Sequence, residues 1–199
     1  MKRIAMLAVV LMAGVGACVA QAKPAAPPTL AQVMDTQLHI AEIQFVPVAE
    51  AMPADKYDFQ PAGAGFDGVR TFALEVKHVA AANFLFYSAI LGVEPPPGVN
   101  AAGATNGPDD LKTKEQIMKF LKDSFALAHK AIATLNDKNA LVPLAHPVIS
   151  FLPTPLALAS FGSMHAMDHY GQMVVYLRMN GITPPASVGQ PPANPKKTD

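Results

Sequence analysis

Residues 165–185, HAMDHYGQMVVYLRMNGITPP, place two of the chain's six histidines four positions apart in a mostly apolar segment. In a helix this spacing puts His165 and His169 on one face, about 40° apart around the axis and roughly 6 Å apart along it. Asp168 and Arg178 are the only charged residues of the predicted helix. A helix that is apolar almost all round is buried. We therefore expect this to be the most buried helix of the fold, with two imidazoles on its inner face.

Three further stretches show the 3.6-residue apolar periodicity of helices, and none shows a convincing strand alternation. Thr113 and Gln116 have the spacing of a capping box, in which their side chains satisfy free backbone amides at the start of a helix. Pro155 after a threonine is typical of a helix start, and Gly181 of a helix end. The predicted helices cover about residues 30–52, 71–91, 113–136 and 154–180.

The four helices predict an all-α four-helix bundle over residues 30–186, since helices of this length can bury one continuous core. The connection VEPPPGVNAAGATNGPDDL, roughly 18 residues, exceeds the length usual between adjacent antiparallel helices. It is long enough to follow a whole helix, so we predict an up-down-down-up order with a crossover between helices 2 and 3. Residues 23–29 read as a Pro-rich tether and residues 187–199 as a disordered, solvated tail.

Residues 1–22 are typical of a signal peptide, with a basic start, an apolar run at 4–17 and small residues at 20 and 22. As a helix the apolar run would reach about 21 Å, which is short for a bilayer span. Cys18 ends a sequence similar to a bacterial lipobox, so lipidation there is the alternative to cleavage after Ala22. Both routes predict an exported protein, periplasmic or secreted, without a transmembrane span in its mature form. We prefer the soluble product over the lipoprotein.

The charge and cysteine content exclude several kinds of site. Loss of Lys2 and Arg3 with the signal peptide would change the formal charge from zero to −2, because 13 basic and 15 acidic residues would remain. A nearly neutral chain without a basic run lacks the electrostatic footprint of a nucleic-acid-binding protein. Cys18 is the only cysteine. A chain cleaved after Ala22 must therefore use histidines and carboxylates for any metal chemistry.

His78, in LEVKHVAAANFLF, is the natural third partner for the histidine pair. It borders the apolar stripe of helix 2, and three imidazoles from two helices would leave coordination positions open, as in catalytic metal sites. Two buried imidazoles need partners for their ring nitrogens, which a metal ion supplies. The alternative is a core histidine that is hydrogen bonded to a carbonyl or to Glu75, and the residues alone leave both interpretations open.

Three segments together resemble the DinB-like superfamily of bacterial four-helix bundles, also called DinB/YfiT-like putative metalloenzymes. They are MPADKYDFQP at 52–61, RTFALEVKHVAAAN at 70–83 and HAMDHYGQMVVYLRMNGITPPAS at 165–187. The resemblance implies an up-down-down-up bundle and a divalent metal ion, Zn, Ni, Mn or Fe, held by His78, His165 and His169. It also implies family activities such as thiol-dependent transfer and isomerisation, and a homodimer as a candidate assembly.

The remaining histidines have no partner at ligand spacing. We read His39 and His129 as partly exposed or packing residues, and His146 as a loop residue that could approach the metal from above. Glu75 and Asp168 each lie within one turn of a predicted ligand. They could therefore orient an imidazole, or form an ordinary salt bridge instead.

Three functions stay open at this point. The first is a metal-dependent transferase or hydrolase that acts on an unidentified small molecule through an activated water or thiol. The second is a non-catalytic periplasmic bundle that binds a metal or small ligand. The third is a bundle that binds haem. Its binding would be non-covalent, because the chain lacks the Cys-x-x-Cys-His attachment signal.

Overall fold

The computed structural model describes residues 26–100 and 106–190. The predicted signal peptide and residues 191–199 of the predicted tail lie outside these ranges. The described residues form four α-helices and no strand, as predicted. The helices are α1 (Leu30–Ala51), α2 (Phe72–Leu91), α3 (Lys114–Ile132) and α4 (Pro155–Met179), with short 3₁₀ turns at Ala54–Lys56 and Pro185–Ser187.

Threonine caps begin all four helices, because a threonine oxygen can accept one of the amides left free in the first turn. The predicted capping box of Thr113 and Gln116 is present, and Thr29 forms another with Gln32 at the start of α1. The prediction for the end of α3 was wrong, since the helix stops at Ile132 rather than near residue 136. Asparagine side chains there bind nearby backbone groups, including the Asn136 amide bound by Asn139, and so compete with helical hydrogen bonds.

Side-chain contacts fix the direction of α1 against α3. Asp35 near the start of α1 and Glu42 in its middle bind the two ring nitrogens of His129, which lies in the last turn of α3. Near the end of α1, Glu50 pairs at 2.6 Å with Lys122, which precedes His129 in α3. Later residues of α1 therefore contact earlier residues of α3, and the two helices are antiparallel.

Contacts of α2 complete the topology. Asn83 of α2 donates to Ser124 of α3, and Phe84 packs on Phe120, so the midpoints of these two helices meet. Tyr87 near the end of α2 donates to the carbonyl of Ala159 near the start of α4, which makes that pair antiparallel. Asn106 and Gly107, which precede α3, lie beside Arg70 and Lys77 at the start of α2, so α2 and α3 are parallel, which confirms the up-down-down-up order.

The most buried helix is α2, which corrects the expectation that α4 would be. Sixteen of the 20 residues of α2 are buried, against ten of the 25 in α4. The described part of the crossover contributes to the difference, because its residues 106 and 107 cover the outer side of α2 near its start. Arg70, just before α2, donates to Asn106 at 2.8 Å, and a side chain on Gly107 would approach the carbonyl of Lys77 to 3.4 Å. Within residues 26–100 and 106–190, the outer side of α4 carries exposed side chains, among them Met164 and Val175.

Close packing joins α2 to α4 beside the histidines. A Cβ atom on Gly162 of α4 would lie 2.6 Å from the hydroxyl oxygen of Tyr87, a buried residue of α2. Glycine at this position thus leaves the space that the Tyr87 ring occupies between the two helices. Within the described part of the chain, no helix combines the length and the apolar character needed to cross a membrane.

Candidate metal centre

The three predicted ligands lie together between α2 and α4. His165 Nε2 is 3.1 Å from His78 Nε2 and 3.2 Å from His169 Nε2. The three residues each offer one nitrogen within 4.8 Å of the others, and no other group of at least three histidine, cysteine or acidic residues with this property occurs in the described ranges. His78 and His169 are buried and His165 is half-buried. The antiparallel pairing of α2 and α4 brings together residues separated by about 90 positions in the chain.

Glu75 orients one of the three imidazoles. The Nδ1–H of His169 donates to Glu75 Oε2 at 2.5 Å, and the carboxylate is almost fully buried. A carboxylate accepts this hydrogen, so the Nε2 lone pair of His169 is directed toward the other two histidines. Of the two acidic residues considered from the sequence, Glu75 has this role. Asp168 is exposed and accepts a hydrogen bond from Gln172 at 3.4 Å.

Among the described residues, none forms a hydrogen bond with the second nitrogen of His165. Its Nδ1 is buried and unbonded, while its Nε2 faces two other imidazole nitrogens. Burial lowers the pKa of His165 to about 3, and the neighbouring His169, His78 and Arg70 contribute in the same direction. The ring is therefore neutral at physiological pH, and one lone pair or one hydrogen on Nε2 cannot satisfy both neighbours.

The donor set fits a divalent metal ion. Two imidazole nitrogens on one tetrahedral zinc ion are about 3.3 Å apart, since zinc–nitrogen bonds are roughly 2.0–2.1 Å long. The two Nε2 distances at His165, 3.1 and 3.2 Å, are close to that value. Neutral imidazoles suit zinc, nickel and iron, and a cation would satisfy the nitrogens that face one another. A metal with three protein ligands has coordination positions left for water or a small molecule.

Aromatic rings border the cluster on the side of His165. The rings of Phe86 from α2 and Phe161 from α4 each lie 5.8 Å from the His165 ring. Further along α4, Tyr176 donates its hydroxyl to the backbone carbonyl of Arg70 at 3.1 Å, so this hydroxyl ties α4 to the start of α2. The histidine cluster thus has apolar rings beside His165, which restrict water there.

The other histidines lie away from the cluster. His39 is exposed on α1. His129 links α1 to α3 through Asp35, at 2.5 Å, and Glu42, a bridge that the sequence spacing did not reveal. His146 lines a separate cavity of about 460 Å³ with residues that follow α2. None of the three belongs to the histidine cluster of the described residues.

Comparison with known proteins agrees with the helical fold. A sequence-family model that describes the DinB superfamily matches residues 37–173, a range that contains all three clustered histidines. The chain is also similar to a solved structure titled as the conserved protein of locus from Enterococcus faecalis. The two chains share 16% sequence identity with a TM-score of 0.61, over 77% of this chain and 98% of the other. That likeness shows a shared fold. A comparison with curated proteins gave no match.

Proposed function

Because the chain belongs to the DinB superfamily, we propose that it is an exported protein that binds one divalent metal ion, Zn, Ni, Mn or Fe, through Nε2 of His78, His165 and His169. The observation that carries this proposal is the convergence of three imidazole nitrogens on one point, with His169 oriented by a buried carboxylate. A histidine binds a metal ion in its neutral form. Burial keeps the His165 imidazole in that form by lowering its pKa.

The reaction class that fits best is metal-dependent transfer or hydrolysis on a small molecule. A divalent cation with open positions lowers the pKa of a water or thiol that it binds, and so supplies a nucleophile near neutral pH. The protein's part is to hold the ligands and restrict water. Glu75 fixes the ring of His169, and Phe86 and Phe161 cover the side of His165.

Export is supported by the sequence of residues 1–22, with its basic start, apolar run and small residues near the cleavage point. Mass spectrometry of the mature N-terminus tests it. A chain that begins at residue 23 would support the soluble form, and a lipid on Cys18 the lipoprotein. An intact Met1 in the cytosol would refute export.

The second candidate function is non-catalytic binding of metal or a small ligand, and the burial of His78 and His169 favours it. A carrier releases its metal, whereas an enzyme keeps it through many turnovers. Transfer and hydrolysis assays on the metal-loaded protein, followed by a measurement of retained metal, separate the two. Turnover with full retention supports the enzyme, and rapid loss to a chelator without turnover supports the carrier.

Elemental analysis of protein purified without added metal or chelator tests the site itself. We expect about one equivalent in the wild type and none in His165→Ala, since loss of a ligand removes a bond that the other two histidines cannot replace. His39→Ala is the matched control because it changes an exposed histidine of α1. One equivalent in His165→Ala with unchanged affinity would refute the three-histidine site.

A further inference from the structure

Arg70 is a half-buried arginine that forms no ion pair with any residue in the described ranges. It directly precedes Thr71, the N-cap residue of α2. Within the same ranges its side chain donates one hydrogen bond, from Nε to the side-chain oxygen of Asn106 at 2.8 Å. Because Nε is occupied, the two Nη groups at the end of the guanidinium remain for another acceptor. An arginine in this state can bind a carboxylate through two parallel hydrogen bonds.

Contacts from three segments hold Arg70 in place. Tyr176 of α4 donates its hydroxyl to the Arg70 carbonyl at 3.1 Å. Gln60 of the α1–α2 connection donates to the carbonyl of the preceding residue, Val69, at 2.6 Å. Together with the bond to Asn106 of the α2–α3 connection, these contacts fix both the backbone and the side chain. The guanidinium is therefore preorganised, so less conformational entropy is lost when it binds an anion.

The antiparallel packing of α2 and α4 brings Arg70 near the histidine cluster. His169 of α4 binds Glu75 of α2, and two turns further along α4, roughly 10 Å, Tyr176 binds the backbone of Arg70. Burial and the other two histidines lower the pKa of His165, and the charge of Arg70 adds to this effect. Burial and Glu75 raise the pKa of Tyr176, and Arg70 opposes them. The guanidinium thus lies within electrostatic range of the metal ligands.

A bound metal ion would leave this region with excess positive charge. Imidazole ligands are neutral, so they do not reduce the charge of a divalent cation. The formal charges of Arg70 and of the buried Glu75 cancel each other, and the charge of the ion therefore stays unbalanced. Charges in a partly buried site are costly unless they are paired. A molecule that brings negative charge is thus favoured over a neutral or cationic one.

We propose that the small molecule bound at the metal carries a carboxylate, and that Arg70 binds this carboxylate while another group of the molecule occupies the open coordination positions. The inference rests on the proposed function, because it takes the metal ion at the three histidines as given. A carboxylate matches the single charge of Arg70 and the planar edge formed by its two Nη groups. Arg70 therefore selects anionic molecules over neutral ones of the same size.

Hydroxamates of equal length that differ in their terminal charge test this selection. A hydroxamate coordinates metal ions, and the probes end in a carboxylate (succinic monohydroxamate), a methyl group (butyrohydroxamate) or an ammonium group (3-aminopropanohydroxamate). The protein is loaded with cobalt(II), whose visible absorption changes when a ligand enters its coordination shell. We expect the wild type to bind the carboxylate probe about 10–100-fold more tightly than the methyl probe, and the ammonium probe most weakly.

Arg70→Gln separates the role of the guanidinium from that of the metal ion. This variant should lose most of the preference for the carboxylate probe, keep its cobalt and bind the methyl probe as the wild type does. Arg178→Gln is the matched control, since it removes an equal charge from an exposed side chain of α4, and it should keep the preference.

A preference that survives in Arg70→Gln would overturn the inference. So would equal affinities of the wild type for the three probes, a measurement that needs no variant and holds even if Arg70→Gln does not fold. A wild-type protein that takes up no cobalt would refute the metal site itself and this inference with it. Cobalt uptake without a preference for the carboxylate probe would refute only the role of Arg70.

Discussion

Replacing Glu75 by glutamine tests the buried carboxylate that orients His169. The substitution keeps the size of the side chain and removes its charge, so the short hydrogen bond from Nδ1 of His169, 2.5 Å in the wild type, becomes a neutral one. A charge-assisted hydrogen bond contributes about 1.5–3 kcal/mol and a neutral one about 0.5–1.5 kcal/mol. The difference, about 1–1.5 kcal/mol, corresponds to roughly a tenfold loss of metal affinity. Substitutions of such outer residues in metal sites commonly cost about 10–100-fold.

A competition titration of zinc against a chromophoric chelator near pH 7 measures this loss. Asp168→Asn is the matched control, since it removes an equal charge one residue from His169 in a side chain that is exposed and bound to Gln172. We expect Glu75→Gln to bind zinc about tenfold more weakly and Asp168→Asn to bind it as the wild type does. Circular dichroism checks that both variants are folded. Equal affinities for Glu75→Gln and the wild type, or equal losses in both variants, would refute a role for the carboxylate in orienting the ligand.

Three further perturbations address other contacts. At His129, burial opposes the charged form of the imidazole, but the carboxylates of Asp35 and Glu42 outweigh it and raise the pKa of His129. The contact therefore stabilises the fold below about pH 6.5, and its contribution is lost as the pH rises through the raised pKa. His129→Gln should therefore lower the free energy of unfolding in urea by up to about 1 kcal/mol near pH 5 and hardly at all near pH 9, and equal losses would argue against an electrostatic contact. Gly162→Ala should lower the free energy of unfolding by about 1–3 kcal/mol through its clash with Tyr87, whereas Gly171→Ala, which meets open space, should raise it by about 1 kcal/mol. An unchanged stability of Gly162→Ala would mean that the helices adjust freely. Acidification should release bound metal into a dialysate, because a ligating imidazole must be neutral. Since burial lowers the pKa of His165 to about 3, we expect release to be complete only near pH 3, and metal retained there would count against histidine ligation.

Local sequence patterns predicted the helices and most of their ends. The threonine caps, the glycine stops and the apolar periodicity act within a few residues, so they can be read without knowledge of the fold. The spacing of His165 and His169 likewise puts both imidazoles on one helical face. The end of α3 escaped prediction because Asn136 and Asn139 bind the backbone of their own turn, a competition that apolar periodicity does not register.

The sequence by itself determined the helical class of this protein and, through the resemblance, the three histidines to examine. Tertiary structure decided which helix is most buried and which carboxylate faces a ligand. Glu75 and His169 are 94 positions apart, and their contact exists only because α2 and α4 run antiparallel at one particular register. The same holds for Asp35 and His129 between α1 and α3. Helix propensity and capping depend on neighbours along the chain, whereas such contacts depend on how whole helices pack, and that packing follows from the collective burial of side chains from every helix.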